Sequence, residues 1–198
     1  MASRNPSEKA DAAGSSVRRI GITSVLSLLL LGAVLTVSGK YALDTTNSLE
    51  FCTSCHEMRD NNFAEYRKTI HAANRTGVKA VCSDCHVPHG FFAVAKRKLL
   101  AANDIFHHLI GTEDTKEKFE AHRAELAKRV WQHMKETDSA ECRYCHDVTA
   151  MDPEVQGPTA HKQHQKIGID GKTCIDCHYG IAHKEPEGID PSDLEAKP

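Results

Sequence analysis

The sequence predicts a mainly α-helical protein with one N-terminal transmembrane helix, and three observations support this fold class. Residues 20–39 contain no charged side chain, and a helix of that length crosses the apolar core of a bilayer. Later stretches repeat apolar residues with helical spacing, and none alternates as a strand does. The third observation is compositional: eight Cys and 13 His accompany only 40% hydrophobic residues, so something other than apolar side chains must fill the interior.

The charge balance excludes one class of partner. The chain has 25 Lys and Arg against 27 Asp and Glu, a formal net charge of −2. A nucleic-acid-binding protein would show a basic face or tail. We therefore expect no nucleic-acid partner.

The apolar run is predicted to be an uncleaved membrane anchor over residues 20–40. Arg18 and Arg19 precede it, and Lys40 and Tyr41 follow as interface anchors. The alternative is a cleaved signal peptide, but its apolar region would normally span only about 7–15 residues. Basic residues are concentrated before the run, so the positive-inside rule places residues 1–19 in the cytoplasm and residues 41–198 in the periplasm. A single-pass protein of the bacterial inner membrane, in contact with the lipid bilayer, is the expectation.

All eight cysteines belong to one repeated motif, Cys-x-x-Cys-His. This motif attaches a c-type haem: two thiols bond the porphyrin, and the following His ligates the iron. The four motifs predict four covalently bound haems c, which would themselves form the core of the periplasmic domain. The thiols are Cys52 and Cys55, Cys82 and Cys85, Cys142 and Cys145, and Cys174 and Cys177; the motif histidines are His56, His86, His146 and His178.

Zinc is the rival interpretation of paired cysteines. Two Cys-x-x-Cys pairs can form a Cys₄ zinc site. Here the pairs are separated by 26 residues in the first half and 28 in the second, which is longer than in usual zinc ribbons. A His also follows every pair. Four such coincidences have a chance on the order of 10⁻⁵, so the sequence favours haem.

Two helices are predicted between the motifs. Residues 93–110 form an apolar face beside a basic cluster and end before Gly111. Residues 115–137 are predicted to follow Asp114 as N-cap, with Glu117 completing a capping box. Residues 185–198 contain three Pro and five acidic residues and are predicted to form a disordered tail.

The motif spacing indicates a duplicated two-haem unit within residues 41–184, divided into about 41–111 and 112–184. Low-spin electron-transfer haem takes a second axial ligand, usually His or Met. His71 and His164 precede a motif at similar distances, and His89 and His183 follow one. These four are better candidates than His122 or His133, which we expect to be ordinary helix residues. The roles of His107 and His108 stay open, as does the choice between His56 and Met58 as ligand of the first haem.

Three stretches give the chain a more specific resemblance: FCTSCHEMRDN, HAANRTGVKAVCSDCHVPHGF and KTCIDCHYGIAHKEP. With the anchor, they resemble the NapC/NirT family of membrane-anchored tetrahaem cytochromes c over about residues 20–185. The resemblance implies quinol oxidation at the outer membrane face. It also implies electron delivery to a periplasmic reductase, in the nitrate system through a dihaem subunit.

The resemblance also implies roles for individual residues. Met58 would ligate the first haem instead of His56, leaving an open face beside the quinol. The distal ligands of the other haems would be His71, His164 and His183. The quinol pocket would use Lys98 and Asp104, which lie about 120° apart on a helix. Either the Lys98 side chain must therefore extend around the helix, or Lys96 or Arg97 takes its place. His89 would be a ligand or part of this pocket, and we favour the pocket.

Other functions stay open at this stage. The electrons could serve another periplasmic reductase, for nitrite or another N- or S-oxide. An enzyme reducing a small substrate at an open haem needs a roomier pocket and is less favoured. A soluble electron shuttle would require a cleaved N-terminus. The quinol, menaquinol or ubiquinol, and the oligomeric state, a homo-oligomer included, are not determined by the sequence.

Overall fold

The computed structural model describes residues 6–167, 169, 171–191 and 194, with side chains from residue 21 onward. In this part of the chain the regular structure is helical throughout, as predicted. The chain divides into two compact units, residues 1–46 and 47–198. The helices are α1 (Pro6–Thr46), α2 (Leu49–Cys52), a π-helix (Met58–Phe63), α3 (Ala64–Tyr66), α4 (Cys82–His86), α5 (Phe91–Leu109), α6 (Lys116–Glu136), α7 (Ala140–Arg143) and α8 (Pro158–His164), with 3₁₀ turns at Val148–Ala150 and Cys174–Asp176.

The first unit is the single helix α1, and it contains a segment suited to a membrane. Gly21–Thr46 is long and apolar enough to span a bilayer, and its side chains are exposed to the surroundings. Threonine hydroxyls of this helix donate hydrogen bonds to backbone carbonyls of the preceding turn. The Thr36 hydroxyl, for example, donates to the Gly32 carbonyl at 2.8 Å. Such bonds satisfy polar groups that water could not reach in lipid. The helix begins at Pro6, well before the predicted start of the span.

Helix α5 begins two residues earlier than predicted and ends as the sequence indicates. Gly90 before it has φ 98° and Gly111 after it has φ 68°, a region that glycine enters without a steric penalty. The amide of Gly111 donates to the His108 carbonyl and that of Thr112 to the His107 carbonyl. These bonds satisfy carbonyls at the helix end.

The predicted N-cap of α6 is wrong. Thr115, not Asp114, caps the helix, because its hydroxyl accepts a hydrogen bond from the Lys118 amide. Asp114 instead forms an ion pair with the Lys118 ammonium at 2.7 Å. The predicted capping box with Glu117 is therefore replaced by a threonine cap and an i,i+4 ion pair.

The second unit has a small apolar core for its mass. Among the described residues, the buried hydrophobic side chains are Tyr66, Phe119, Trp131, Met134 and Ile175. The accessible surface is 14556 Å², whereas a folded monomer of 21.8 kDa has about 9,000 Å². The extended helix α1 accounts for part of the excess. The small core agrees with a domain whose interior depends on large prosthetic groups.

The C-terminal segment differs from the predicted disordered tail over residues 185–191 and 194. Ile189 and Leu194 pack against the core around Trp131, and Pro191 is fully buried. The Tyr179 hydroxyl and the Asp190 carboxylate lie 3.0 Å apart in a hydrogen bond. The polar composition of the segment did not predict this packing, because a few apolar residues suffice to anchor a polar segment. The other residues of the tail, 192–193 and 195–198, lie outside the described part.

Candidate functional site

The first Cys of every motif lies in a short helix or 3₁₀ turn, and in the second motif α4 spans both thiols. Residues three apart on a helix are neighbours. The second and fourth motifs share one further device: the Asp84 carboxylate accepts from the Val81 amide, and the Asp176 carboxylate from the Thr173 amide, both at 2.7 Å. This matching cap agrees with an internal duplication. The cysteine thiols are free of disulfides.

The motifs are neighbours in space in the same order as in the sequence. Helix α2, which ends with Cys52, contacts α4, and the Cys52 and Cys82 thiols are close enough to shift the pKa of each other. Helix α4, which carries the second motif, also contacts α7 of the third. The third motif adjoins the fourth, since the Ile175 amide donates at 3.2 Å to the hydroxyl of Ser139, the residue before α7. Groups attached to these thiols would follow one another from the first to the fourth motif.

Three predicted distal histidines each face the histidine of a motif. The ring centres are 6.2 Å apart for His71 and His146, 6.1 Å for His86 and His183, and 6.0 Å for His164 and His178. An iron between two imidazoles separates the ring centres by about 6 Å, from two metal–nitrogen bonds of about 2 Å and about 1 Å within each ring. The spacing therefore fits a bis-histidine haem in each pair.

Burial keeps several of these rings uncharged, as metal ligation requires. Burial lowers the pKa of His86 to about 4. It also lowers the pKa values of His178 and His183. The His164 Nδ1 is 2.7 Å from the Gln156 amide oxygen, which orients the ring and leaves Nε2 for another partner.

The pairing of the histidines crosses between the predicted halves. His71 lies in the first half and faces His146 of the third motif. His183 lies near the end of the chain and faces His86 of the second. Of these three predicted distal histidines, His164 alone faces a motif of its own half, that of His178. The two crossed pairs tie the halves together, and the repeat pattern in the sequence gave no sign of this exchange.

The first motif has a different environment. The His56 and His108 ring centres are 5.9 Å apart, but the buried Glu57 carboxylate is associated with both rings. Its Oε1 is 2.7 Å from His108 Nδ1 and 3.4 Å from His56 Nε2. Met58 opens the π-helix, and its sulfur lies 3.5 Å from the Asn62 amide nitrogen. Short π-helices occur frequently at functional sites.

The predicted quinol residues on α5 occupy different environments. Lys98 lies close enough to the first motif for its positive charge to lower the pKa of the Cys52 thiol. Burial in turn lowers the pKa of the Lys98 ammonium. Asp104 is exposed and forms an ion pair with Arg97, with 4.0 Å between Nη1 and Oδ2. The Arg97 Nε also donates to the His86 carbonyl at 3.3 Å. Arg97 therefore links Asp104 to the second motif.

His89 lies apart from these residues, at the third motif. Its ring stacks on that of Tyr144, with centres 3.7 Å apart and planes inclined by 16°. Tyr144 is one of the two residues between Cys142 and Cys145. The described contact of His89 is therefore with the third motif.

Helix α5 also carries a wide apolar face that the rest of the described chain leaves uncovered. Its large apolar side chains are between 56% and 86% exposed. The members of this face are Phe91, Phe92, Leu99, Leu100, Ile105, Phe106, Leu109 and the adjacent Ile110. Exposed apolar patches of this extent mark sites of interaction with a membrane or another protein.

Comparison with known proteins decides the family. The model of the NapC/NirT cytochrome c family, N-terminal region, matches residues 15–188. The chain belongs to the NapC/NirT cytochrome c family. It is therefore an electron-transport protein that carries haem c, and the histidine pairs and free thiols described above fit that cofactor.

Individual relatives agree with the family assignment. The chain is 48% identical to the cytochrome c-type protein NapC of Haemophilus influenzae, over 85% of this chain and 84% of the relative. It is 50% identical to the denitrification system component NirT of Stutzerimonas stutzeri, over 77% and 76%. It is 44% identical to a protein of Allochromatium vinosum named as of the tetraheme cytochrome-c type, over 88% and 94%. No solved structure matches the chain.

Sequence reasoning did not identify the cluster around the first motif. Glu57 had no recognisable signal, because an acidic residue beside a haem motif is unremarkable. His108 was left open, and only the fold brings it to Glu57, 51 positions away. Its place at the end of the apolar helix α5 was the one available clue.

Proposed function

We propose that this NapC/NirT family protein oxidises quinol at the periplasmic face of the bacterial inner membrane. Electrons then pass one at a time through four haems c to a periplasmic reductase. The observation that carries this proposal is the spatial order of the four motifs, which lie next to one another from first to fourth. An order of this kind gives an electron path with one entrance and one exit.

The entrance is proposed at the first motif because this motif follows the anchor helix closely in the sequence. Only residues 47–51 separate the end of α1 from Cys52, and the six steps from Thr46 to Cys52 reach at most about 22 Å. Lys98 on α5 lies near the same Cys52. The exposed apolar face of α5 is suited to the lipid–water boundary, where a helix with one apolar face lies in the plane of the interface.

The roles proposed for the pocket residues follow from the chemistry of quinol, which loses two electrons and two protons. Asp104 is exposed and accepts a proton at its carboxylate. Lys98 holds a quinol oxygen, and Arg97 keeps Asp104 oriented between pocket and solvent. His89 remains a proposed member of the pocket. Haem c, when bound, supplies a one-electron acceptor.

The axial ligands proposed for the haems follow the histidine pairs. His86 and His183 hold the second haem, His71 and His146 the third, and His164 and His178 the fourth. At the first haem Met58 is the proposed ligand in place of His56. A cytochrome of this kind needs no substrate channel to the second, third and fourth irons, because both axial positions are occupied.

Nitrate respiration is the proposed setting. Relatives named NapC and NirT are about equally similar to this chain, so a reductase of another nitrogen oxide is the second candidate recipient. The proposed partner is a periplasmic reductase or its dihaem subunit. Co-purification with a periplasmic nitrate reductase would separate the two candidates.

The quinol site is tested by steady-state reduction of the protein in lipid nanodiscs with a menaquinol analogue. Asp104→Asn removes a proton acceptor and is expected to lower the turnover rate about tenfold, or about 1.4 kcal/mol in barrier. Lys98→Ala is expected to raise KM for quinol by a similar factor. Haem content and spectra should not change.

Matched controls are available at exposed positions away from α5. Asp152→Asn and Lys128→Ala remove the same charges from the loop after the third motif and from α6, and both should behave as the wild type. If Asp104→Asn and Lys98→Ala also show wild-type kinetics, the quinol site lies elsewhere, and His89→Ala becomes the variant to measure.

A further inference from the structure

We propose that Glu65, itself held by Arg123, positions the distal ligand His183 of the second haem by binding the backbone of its neighbour Lys184. The inference rests on the axial ligands proposed above and adds the residues that keep one of them in place. Glu65 and Arg123 are positioning residues, because they act on the iron only through His183.

The backbone of Lys184 is bonded at both of its polar groups. Its amide donates to Glu65 Oε2 at 2.8 Å, and its carbonyl accepts from Arg123 Nη1 at 3.2 Å. The amide belongs to the rigid peptide unit that begins at His183, so the bond to Glu65 restrains the His183 backbone directly. Side chains from α3 and α6 thus hold the segment that carries His183.

The Arg123 guanidinium is fully engaged in this arrangement. It has five N–H donors. Four bind carboxylate oxygens of Glu65, at 2.6 and 3.0 Å, and of Glu120, at 2.8 and 2.9 Å. The fifth bonds the Lys184 carbonyl. The side chain is only 8% exposed, and bidentate bonds to a planar guanidinium fix its orientation, so it is a rigid support for Glu65.

Glu65 also comes from an anchored element. The next residue of α3, Tyr66, is 7% exposed. Its hydroxyl bonds the His71 carbonyl at 3.1 Å and the Ala80 carbonyl. The helix that presents Glu65 to Lys184 is therefore tied to the fold on its other side as well.

His183 is held differently from the distal ligand of the fourth haem. His164 is oriented at its ring, since its Nδ1 lies 2.7 Å from the Gln156 amide oxygen. The Nδ1 of His183 is buried and has no hydrogen-bond partner among the described residues. His183 also lies outside the described helices, so helical hydrogen bonds do not fix its backbone. The placement of its ring opposite His86 then depends on the bonds to Lys184.

The test counts high-spin haems in the oxidised protein by electron paramagnetic resonance. Glu65→Ala removes the acceptor of the Lys184 amide and is expected to release His183, which adds one high-spin haem. Glu120→Ala is the matched control, because it takes the other carboxylate from Arg123 and leaves the bond between Glu65 and the Lys184 amide intact. It should keep the wild-type spectrum, and haem content should be four per chain in both variants.

Conservative variants separate the hydrogen bond from the charge. Glu65→Gln keeps an oxygen within reach of the Lys184 amide and should stay low-spin. Glu65→Asp keeps the charge beside Arg123 but shortens the side chain, so it should add high-spin signal even if Glu65→Ala does not accumulate. The opposite order, with Glu65→Gln high-spin and Glu65→Asp low-spin, would contradict a role through the backbone amide.

Double variants show whether Glu65 acts through His183. Glu65→Ala combined with His183→Ala should add one high-spin haem, as His183→Ala does alone, because both changes act on one iron. Glu65→Ala combined with His164→Ala should add two. If His183→Ala turns a haem high-spin but Glu65→Ala matches Glu120→Ala, the positioning role is overturned and the ligand assignment stands. If His183→Ala leaves every haem low-spin, the ligand assignment fails and the positioning role fails with it.

Discussion

At the scale of single residues, the axial histidines give the most direct test of the haem assignments. His71→Ala is expected to turn one haem high-spin, and the crossed pairing identifies it as the third, since His71 faces His146. His164→Ala and His183→Ala should each do the same to the fourth and the second haem. Electron paramagnetic resonance measures the spin state directly.

Double variants show which ligands share an iron. His71→Ala combined with His146→Ala should affect one haem, whereas His71→Ala combined with His86→Ala should affect two, because ligands of one iron act as a unit. His122→Ala, on the exposed side of α6, is the control. If His71→Ala, His164→Ala and His183→Ala all lack a high-spin haem, other histidines ligate the second, third and fourth haems.

The thiols and motif histidines were predictable from the sequence because the chemistry of attachment fixes their spacing. The spare histidines were predictable only as candidates, since a histidine by itself has many roles. Their partners were not, because the pairing of His71 with His146 and of His183 with His86 depends on how the halves pack. Glu57 illustrates the limit most clearly: its neighbour His108 is distant in the sequence.

At the scale of elements, the apolar face of α5 is expected to contact lipid. Leu99 is 78% exposed on this face, and Leu99→Glu would place a charge at the boundary of the acyl chains, which opposes insertion. Turnover with a long-chain quinol embedded in nanodiscs should fall several-fold. Turnover with a short-chain, water-soluble quinol analogue should stay the same, because the haems and pocket residues are unchanged.

The control for this prediction is a charge placed on an exposed apolar residue in a loop. Val155 is 84% exposed and lies outside α5, so Val155→Glu should alter neither rate. Equal rates for Leu99→Glu and the wild type with the long-chain quinol would show that this face does not contribute to quinol access from the bilayer.

Helix positions were predicted well where apolar periodicity and glycine agree. Helix α5 ends at Leu109, just before the predicted Gly111, and α6 lies within one residue of the predicted range. The N-cap of α6 was misassigned because Asp114 and Thr115 are both good caps in adjacent positions, and the choice depends on local backbone geometry. The π-helix at Met58 has no sequence signature at all.

At the scale of the whole molecule, the sequence indicates an anchor and a haem-filled domain, and the structure adds the order of the motifs. An electron path through four haems follows from contacts between short helices that lie far apart in sequence, such as α4 and α7. The same contacts explain why a chain with few buried apolar side chains forms one unit over residues 47–198. The porphyrins would supply the missing interior.

The central claim is that quinol reduces the full set of haems, and an anaerobic titration tests it most directly. Oxidised protein in nanodiscs is titrated with menaquinol while the haem absorbance is followed, after the haem content has been measured as four per chain. Each quinol supplies two electrons, so two quinols should reduce four haems, with the Asp104→Asn variant reaching the same end point more slowly. Haems that dithionite reduces but quinol leaves oxidised would contradict the account.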